Sequence, residues 1–230
     1  MTGEGEPIAI GVDACRRGWF AVVLEGRSAR GMHLDSLEEL AERVPDADGI
    51  AIDIPLTLPR RERREADVLA KQLLGVRHPV VFFTPPLKAL KARDHATASN
   101  ISRELTGHGL SQQAFALRTK IFEARTWLPR AHAPVWEAHP EVSFAVLTGG
   151  PILFPKRTWA GVRIRMAALA AAGITINDDD PAAANIAIDD VLDAAVAAWT
   201  ARRCIEGRAQ RLPKGSSAAE EFGITAAIFA

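Results

Sequence analysis

Short apolar runs alternate with amphipathic stretches along the chain, and their order predicts an α/β protein. Residues 7–13 (PIAIGVD) and 18–24 (GWFAVVL) are joined by a tight polar segment, a pattern typical of a β-hairpin. Residues 48–55 (DGIAIDIP) are apolar apart from Asp48 and Asp53, as expected of a strand buried on both faces. Residues 134–138 (PVWEA) predict a further short strand.

Amphipathic stretches between and after these runs predict helices. Ser36 followed by Glu39 is a capping-box signature, and Ser111 is suited to cap a later helix. The acidic stretch 177–180 predicts a loop, and residues 224–230 predict an edge strand. The predicted helices are residues 36–44, 59–75, 87–127 with interruptions near Gly107 and Gly109, 158–172 and 188–205.

We expect a single domain that spans residues 1–230. The chain shows no internal repeat and no linker rich in Gly, Pro or Ser. Its length suits one domain of this class. The helical block at about residues 59–132 is interpreted as an insertion between two strands of the sheet.

Composition and charge narrow the classes of function. Lys+Arg and Asp+Glu number 28 each, so the formal net charge is zero, which disfavours a protein that coats duplex nucleic acid. Cys15 and Cys204 show no CxxC spacing, which disfavours a disulfide framework or structural zinc. Neither a signal peptide nor an apolar stretch long enough to span a membrane is recognisable. We therefore expect a cytoplasmic protein with no membrane partner.

Acidic residues stand at corresponding places in the predicted elements. Asp13, Asp53 and Glu137 lie near the ends of three predicted strands, where α/β folds place their chemistry. Asp190 and Asp193 are three residues apart near the start of the last helix and so share one face. Alone, each acid is more typical of a turn or a helix N-terminus. Together they predict a common site.

Carboxylates that converge need a counter-charge, because like charges a few ångströms apart repel strongly. Mg²⁺ or Mn²⁺ prefers hard oxygen ligands and can supply that charge. Such ions also support in-line displacement at phosphorus. The acids therefore predict a divalent-metal site for phosphoryl chemistry.

Five motifs occur in the order seen in one family. The motifs are GVDACRRGW, AIDIPLTLP, GLSQQAFALRTKI, WEAHPEVSF and DDVLDAAVAAW. Over about residues 8–199 the chain resembles the DUF429 family, whose members are predicted nucleases of the RNase H-like superfamily, which includes RuvC-type resolvases. The resemblance implies a mixed sheet flanked by helices, with the helical insertion added to it.

The resemblance also assigns roles. The superfamily's acids on the first strand, the fourth strand and the C-terminal helix fall on Asp13, on Asp53, and on Asp190 with Asp193. Glu137 belongs to the family's own motif and is our choice as a further ligand or water-orienting base. The expected catalytic residues are Asp13, Asp53, Glu137 and Asp193, and the expected metal ligands are these four with Asp190. His139 either hydrogen-bonds a ligand or caps a turn, and the role of Glu141 is open.

Basic residues near these motifs are candidates for phosphate contacts. Arg16 and Arg17 follow Asp13, and Lys120 and Lys156 lie in or near the family motifs. The arginines at 60, 61, 63 and 64 are interleaved with glutamates and are interpreted as a solvated helix face.

The expected function is hydrolysis of phosphodiester bonds in nucleic acid by a nuclease that depends on Mg²⁺ or Mn²⁺. One alternative is an ATP-using phosphotransferase of the actin and sugar-kinase type, which would need two such lobes. The other is a catalytically inactive RNase H-like binding module. The sequence contains no GxxxxGK[ST], GxGxxG or GxSxG motif. The type of nucleic acid stays open, and the resemblance leaves room for a homodimer.

Overall fold

A six-stranded mixed sheet forms the centre of the protein in the computed structural model, which describes residues 6–176, 181–215, 220–221 and 224–230. Its strands are β1 (Ile8–Ala14), β2 (Trp19–Glu25), β3 (Ser28–Leu34), β4 (Gly49–Ile52), β5 (Val135–Glu137) and β6 (Thr175–Ile176). The spatial order is β5-β4-β1-β2-β3-β6. β1, β2 and β3 form an antiparallel meander, whereas β4 runs parallel to both β1 and β5, and β6 runs parallel to β3. The predicted mixed sheet is confirmed, and it is consistent with an RNase H-like fold.

Helices cover both faces of the sheet. They are α1 (Glu39–Arg43), α2 (Glu65–Leu74), α3 (Leu87–Leu90), α4 (His95–Thr106), α5 (Gln112–Ala116), α6 (Arg118–Trp127), α7 (Pro140–Thr148), α8 (Trp159–Ala171) and α9 (Ile188–Ile205). Helices α2 to α6 all lie between β4 and β5 in the chain. Two short strand pairs complete the described elements: β7 (Arg211–Leu212) with β10 (Ile228–Phe229), and β8 (Glu220–Glu221) with β9 (Ile224–Thr225).

Alternation along β2 creates two hydrophobic cores. Trp19, Ala21 and Val23 join the core that also contains residues of α1 and α6. Phe20, Val22 and Leu24 join a second core with α8 and α9 on the opposite face. Because successive strand residues point to opposite faces, one strand contributes to both cores.

Helix α9 lies unusually close to β1. Ala194 and Ala198 are fully buried where the helix crosses the strand. A Cβ atom on Gly11 would lie 2.0 Å from the backbone nitrogen of Ala198 and 2.1 Å from the carbonyl oxygen of Ala194. Only glycine therefore permits this contact. The contact sets the position of α9 along its axis relative to the end of β1.

Several predicted elements are confirmed and others were missed. The opening hairpin, the strand near Asp53 and helix α9 are found as predicted, and Ser111 caps α5 by accepting a bond from the Ala114 N–H at 3.1 Å. Strand β3 and helix α7 were not predicted. The predicted helix 59–75 begins only at Glu65. The predicted loop 177–180 lies outside the described residues.

Within the described part of the chain, no helix is both long enough and apolar enough to cross a membrane.

Candidate metal centre

Three of the predicted acids meet at one point, and we call them the acidic triad: Asp13, Asp53 and Asp193. One carboxylate oxygen from each lies within 4.8 Å of the other two. Asp13 and Asp193 are buried, whereas Asp53 is partly exposed. The structure thus brings together residues separated by up to 180 positions in the sequence, 193 minus 13.

The fold explains why the triad forms. Strands β1 and β4 are parallel neighbours with Val12 opposite Ile52, so the residues that follow, Asp13 and Asp53, emerge side by side. The Asp53 N–H donates to the Val12 carbonyl oxygen at 2.9 Å and extends this register. Asp193 directly precedes Ala194, whose carbonyl oxygen faces Gly11. The close approach of α9 to β1 therefore delivers the third acid.

Burial and neighbouring acids raise the pKa values of all three carboxyl groups. Burial and the neighbouring charges of Asp53 and Asp193 raise the pKa of Asp13 well above its ordinary value. Burial, with Asp193 beside it, raises the pKa of Asp53 to about 8. Burial raises the pKa of Asp193 to about 6. The site therefore disfavours three negative charges in the absence of a cation.

The donor set fits a hard divalent cation. The Oδ1 atom of Asp193 is buried without a hydrogen-bond partner among the described residues. Asp13 uses Oδ1 to accept a bond from the Ala14 N–H at 2.7 Å. A buried carboxylate oxygen that lacks a partner costs free energy unless something else satisfies it. Carboxylate oxygens, which all three members of the triad supply, are the ligands that Mg²⁺ and Mn²⁺ prefer.

Among the described residues, Lys156 is a basic residue in direct contact with the triad. Its ammonium group contacts Asp193 Oδ2 and lies 3.6 Å from Asp189 Oδ2. Burial lowers the pKa of Lys156, but the charges of Asp193, Asp53 and Asp13 outweigh it and raise the pKa above its ordinary value. Lys156 is thus charged and held at the acids, as a residue that meets a phosphate would be.

Asp190 lies at the margin of the site, and its neighbour Asp189 was missed. Asp190 is half-buried and lines the cavity, but it is not in the group of acids within 4.8 Å. Asp189 is buried and accepts a bond from Arg157 Nε at 2.8 Å. Its position four residues before Asp193, on the same helix face, was the available signal.

Glu137 is held by an arginine instead of joining the triad. Its Oε1 accepts from Arg64 Nη2 at 2.6 Å, and its Oε2 accepts from Arg64 Nη1 and from the Leu56 N–H, both at 2.8 Å. Burial raises the pKa of Glu137 and the Arg64 charge opposes that rise. With both oxygens engaged, Glu137 positions the segment after Asp53, and the prediction that it is a ligand or base finds no support in this geometry.

Arg64 itself corrects another prediction. It does not lie on a solvated helix face but is buried beside α2, where it also donates to Asp67 Oδ1 from Nη2 at 2.5 Å. Asp67 accepts further from the Thr84 N–H at 2.7 Å. We call Arg64, Asp67 and Glu137 the Arg64 network. It ties α2 to β5 beneath the cavity.

A cavity of about 530 Å³ opens over both groups of acids. His139 lines it, its side chain makes no capping bond to α7, and burial lowers its pKa to about 4. Glu141 also lines it and accepts from Arg165 Nη2 at 2.6 Å. Part of the wall comes from residues 79–82 and from Gln113 and Leu117, all located between β4 and β5.

The other predicted phosphate contacts lie elsewhere. Arg16 and Arg17 are exposed in the turn after β1, and neither is among the described residues that line the cavity. Lys120 pairs with Glu123 at 3.1 Å and lies 4.5 Å from the Trp19 ring centre. Of the four predicted basic residues, the structure places only Lys156 at the acids.

Comparisons with known proteins agree with the resemblance seen in the motifs. The family model described as "Protein of unknown function (DUF429)" matches residues 11–218, which include the triad and Lys156. Searches of curated proteins and of solved structures each found no significant match. The chain therefore belongs to the DUF429 family.

Proposed function

We propose that the protein is a divalent-metal-dependent nuclease that hydrolyses phosphodiester bonds in nucleic acid. The observation that carries the proposal is the acidic triad. Its three carboxylates come from separate parts of the chain, each has an oxygen within 4.8 Å of the other two, and the pKa of each is raised. Perturbed acids in a cleft are typical of functional sites. Placement in the RNase H-like superfamily is part of this proposal and is supported by the strand order and by the positions of the acids.

Asp13, Asp53 and Asp193 would hold Mg²⁺ or Mn²⁺. A bound divalent ion would offset most of the negative charge of the acids and lower the pKa of a bound water. The partnerless Oδ1 of Asp193 would then gain a partner. The Arg64 network orients the segment that follows Asp53 through the bond from the Leu56 N–H to Glu137.

Other residues of the cavity suit a phosphate. Lys156 can turn its ammonium group from Asp193 to a phosphate oxygen, since it is already held within the site. His139, with its lowered pKa, is neutral at pH 7 and suited to accept or donate a single hydrogen bond. The cavity volume of about 530 Å³ suits a nucleotide-sized group.

The cytoplasm remains the expected compartment. Both described cysteines, Cys15 and Cys204, are free thiols, which fits reducing conditions.

The proposal is tested by incubating the full chain with labelled single-stranded, duplex and branched DNA and with RNA, in Mn²⁺, Mg²⁺ or EDTA. We expect cleavage of at least one substrate with metal, none with EDTA, and loss of cleavage in Asp193→Asn. Asp46→Asn is the matched control because Asp46 is exposed and outside the cavity lining. Cleavage that persists in EDTA or in Asp193→Asn would rule the proposal out.

A further inference from the structure

An exposed aromatic and basic surface adjoins the acidic triad. Trp159, at the start of α8, is 78 % exposed, and Phe154 is 51 % exposed. Between them lie Lys156 and Arg157, which contact Asp193 and Asp189. A single exposed apolar side chain is ordinary, but several close together, rimmed by charged residues, mark interaction sites. We call this surface the 153–159 loop, and it includes Leu153, which is 62 % exposed.

The backbone of the loop is anchored by a buried arginine. Arg165 is completely buried and donates from Nη1 to the carbonyl oxygens of Phe154 at 3.2 Å and Gly161 at 3.0 Å. Its Nη2 donates to Glu141 at 2.6 Å. The loop backbone also packs so tightly on α8 that a Cβ on Gly161 would lie 1.9 Å from the Pro155 carbonyl oxygen. The backbone that carries the exposed rings is therefore anchored to the buried Arg165 and to α8.

The charges on this surface favour a polyanion over an apolar partner. The Arg163 guanidinium lies 5.6 Å from the Trp159 ring centre, one turn along the same helix face. Arg157 has a side chain that is 79 % exposed even though its Nε contacts Asp189. Cations interleaved with open aromatic rings are the pattern of surfaces that stack unpaired bases and contact the phosphates between them.

Lys156 and Arg157 belong to this surface and also line the cavity over the triad. Lys156 contacts the triad at Asp193, and Trp159 follows three residues later, so their Cα atoms are at most about 11 Å apart. A strand whose base stacks on Trp159 would therefore have a neighbouring phosphate near Lys156. In a duplex the bases are stacked within the helix and their faces are not available.

We propose that the 153–159 loop and Arg163 form a binding site for single-stranded nucleic acid, with a base stacked on Trp159, and that this site delivers an unpaired strand to the triad. The inference rests on the proposed function, since it names the substrate class of that same site.

The test measures binding by fluorescence anisotropy in EDTA, so that metal chemistry plays no part. The probes are labelled single-stranded DNA and RNA of about 12 nucleotides, within the site sizes of single-strand grooves, and the duplex of the same sequence. We expect tighter binding of a single strand than of the duplex. Trp159→Ala should weaken single-strand binding about 5- to 150-fold, the range reported by alanine substitution of stacking residues.

Two further variants separate stacking from general effects. Trp159→Phe keeps an aromatic face and should bind nearly as tightly as the wild type. Ile164→Ala truncates another exposed apolar residue of α8, about 140° around the helix from Trp159, and should leave binding unchanged.

Each contrary result overturns the inference. These results are absence of single-strand binding by the wild type, equal binding of duplex, or equal weakening in Trp159→Ala and Ile164→Ala. A wild-type dimer that dissociates in Trp159→Ala without any change in oligonucleotide affinity would instead identify an interface between copies of the chain. Binding through Trp159 without cleavage in Mn²⁺ would reject the nuclease proposal alone, whereas metal-dependent cleavage indifferent to Trp159 would reject this inference alone.

Discussion

The Arg64 network and the acidic triad lie in the same cavity, and both bury carboxylates, but they are satisfied in opposite ways. Glu137 and Asp67 share a buried guanidinium and backbone N–H donors, so their oxygens are occupied. Asp13, Asp53 and Asp193 face one another, and of these three the partly exposed Lys156 contacts Asp193. Burial by itself therefore does not mark the candidate site. What marks it is burial of like charges with too few partners.

The comparison predicts that breaking the Arg64 network affects stability most. Arg64→Met should destabilise the fold by about 3–5 kcal/mol, because it leaves two buried carboxylates without their cation. Urea denaturation with and without Mn²⁺ measures this, and the loss should be similar in both. Arg61→Met, at an exposed position, is the control. A loss no larger than that of the control would mean that the network does not stabilise the fold.

Breaking the triad should affect activity instead. Asp13→Asn should reduce metal-dependent cleavage by more than about 100-fold, since loss of a residue that merely supports a metal ligand already costs 10–100-fold. That reduction corresponds to about 2.7 kcal/mol. The variant should fold normally, as judged by circular dichroism and thermal unfolding. Activity within a few-fold of the wild type would contradict the assignment of Asp13.

The pH dependence of stability sharpens the contrast. In the folded state the raised pKa values favour the protonated form of these acids. Their contribution to the free energy of unfolding is therefore complete below about pH 4, and it is lost as the pH rises through the pKa values of the folded state. Without metal, stability should fall up to about pH 8, the value for Asp53. Asp53→Asn should exceed the wild type by on the order of 2 kcal/mol at pH 8 and converge with it near pH 4.

Thermal unfolding in EDTA across that pH range provides the measurement. Added Mn²⁺ should stabilise the wild type most at high pH, because binding requires deprotonated ligands. A metal-free wild type that gains stability between pH 5 and pH 8 relative to Asp53→Asn would contradict the raised pKa.

The smallest effect is expected at the margin of the triad. Asp190→Asn should change cleavage less than about 10-fold and stability by no more than about 0.5 kcal/mol, because Asp190 is half-buried and outside the group. Comparing its cleavage rate with that of Asp193→Asn checks this. Equal losses of cleavage in the two variants would indicate that Asp190 is a metal ligand.

The triad could be predicted from the sequence because local patterns mark its acids. Asp13 and Asp53 each end an apolar run, and parallel neighbours place such ends together. The partner of Glu137 could not be found in this way. Arg64 lies 73 residues away, and in the sequence it resembles the exposed arginines beside it. Pairing of buried charges depends on tertiary packing, which a single sequence does not reveal.

The missed elements have similar physical reasons. Strand β3 carries Ser28, Arg30 and Gly31 at exposed or half-buried positions, so it lacks a continuous apolar run. Helix α7 is buried over six of its nine residues, which removes the polar face that reveals a helix. Its remaining signals were Pro140 at the first turn and Gly149 just past the end.

The central claim is that the acidic triad binds a divalent cation, and crystals of the full chain soaked in MnCl₂ test it most directly. The account predicts an anomalous manganese peak bonded to carboxylate oxygens of Asp13, Asp53 and Asp193, absent in crystals of Asp193→Asn. A soak at millimolar Mn²⁺ that shows no peak at the triad, with Lys156 still bound to Asp193, would contradict it.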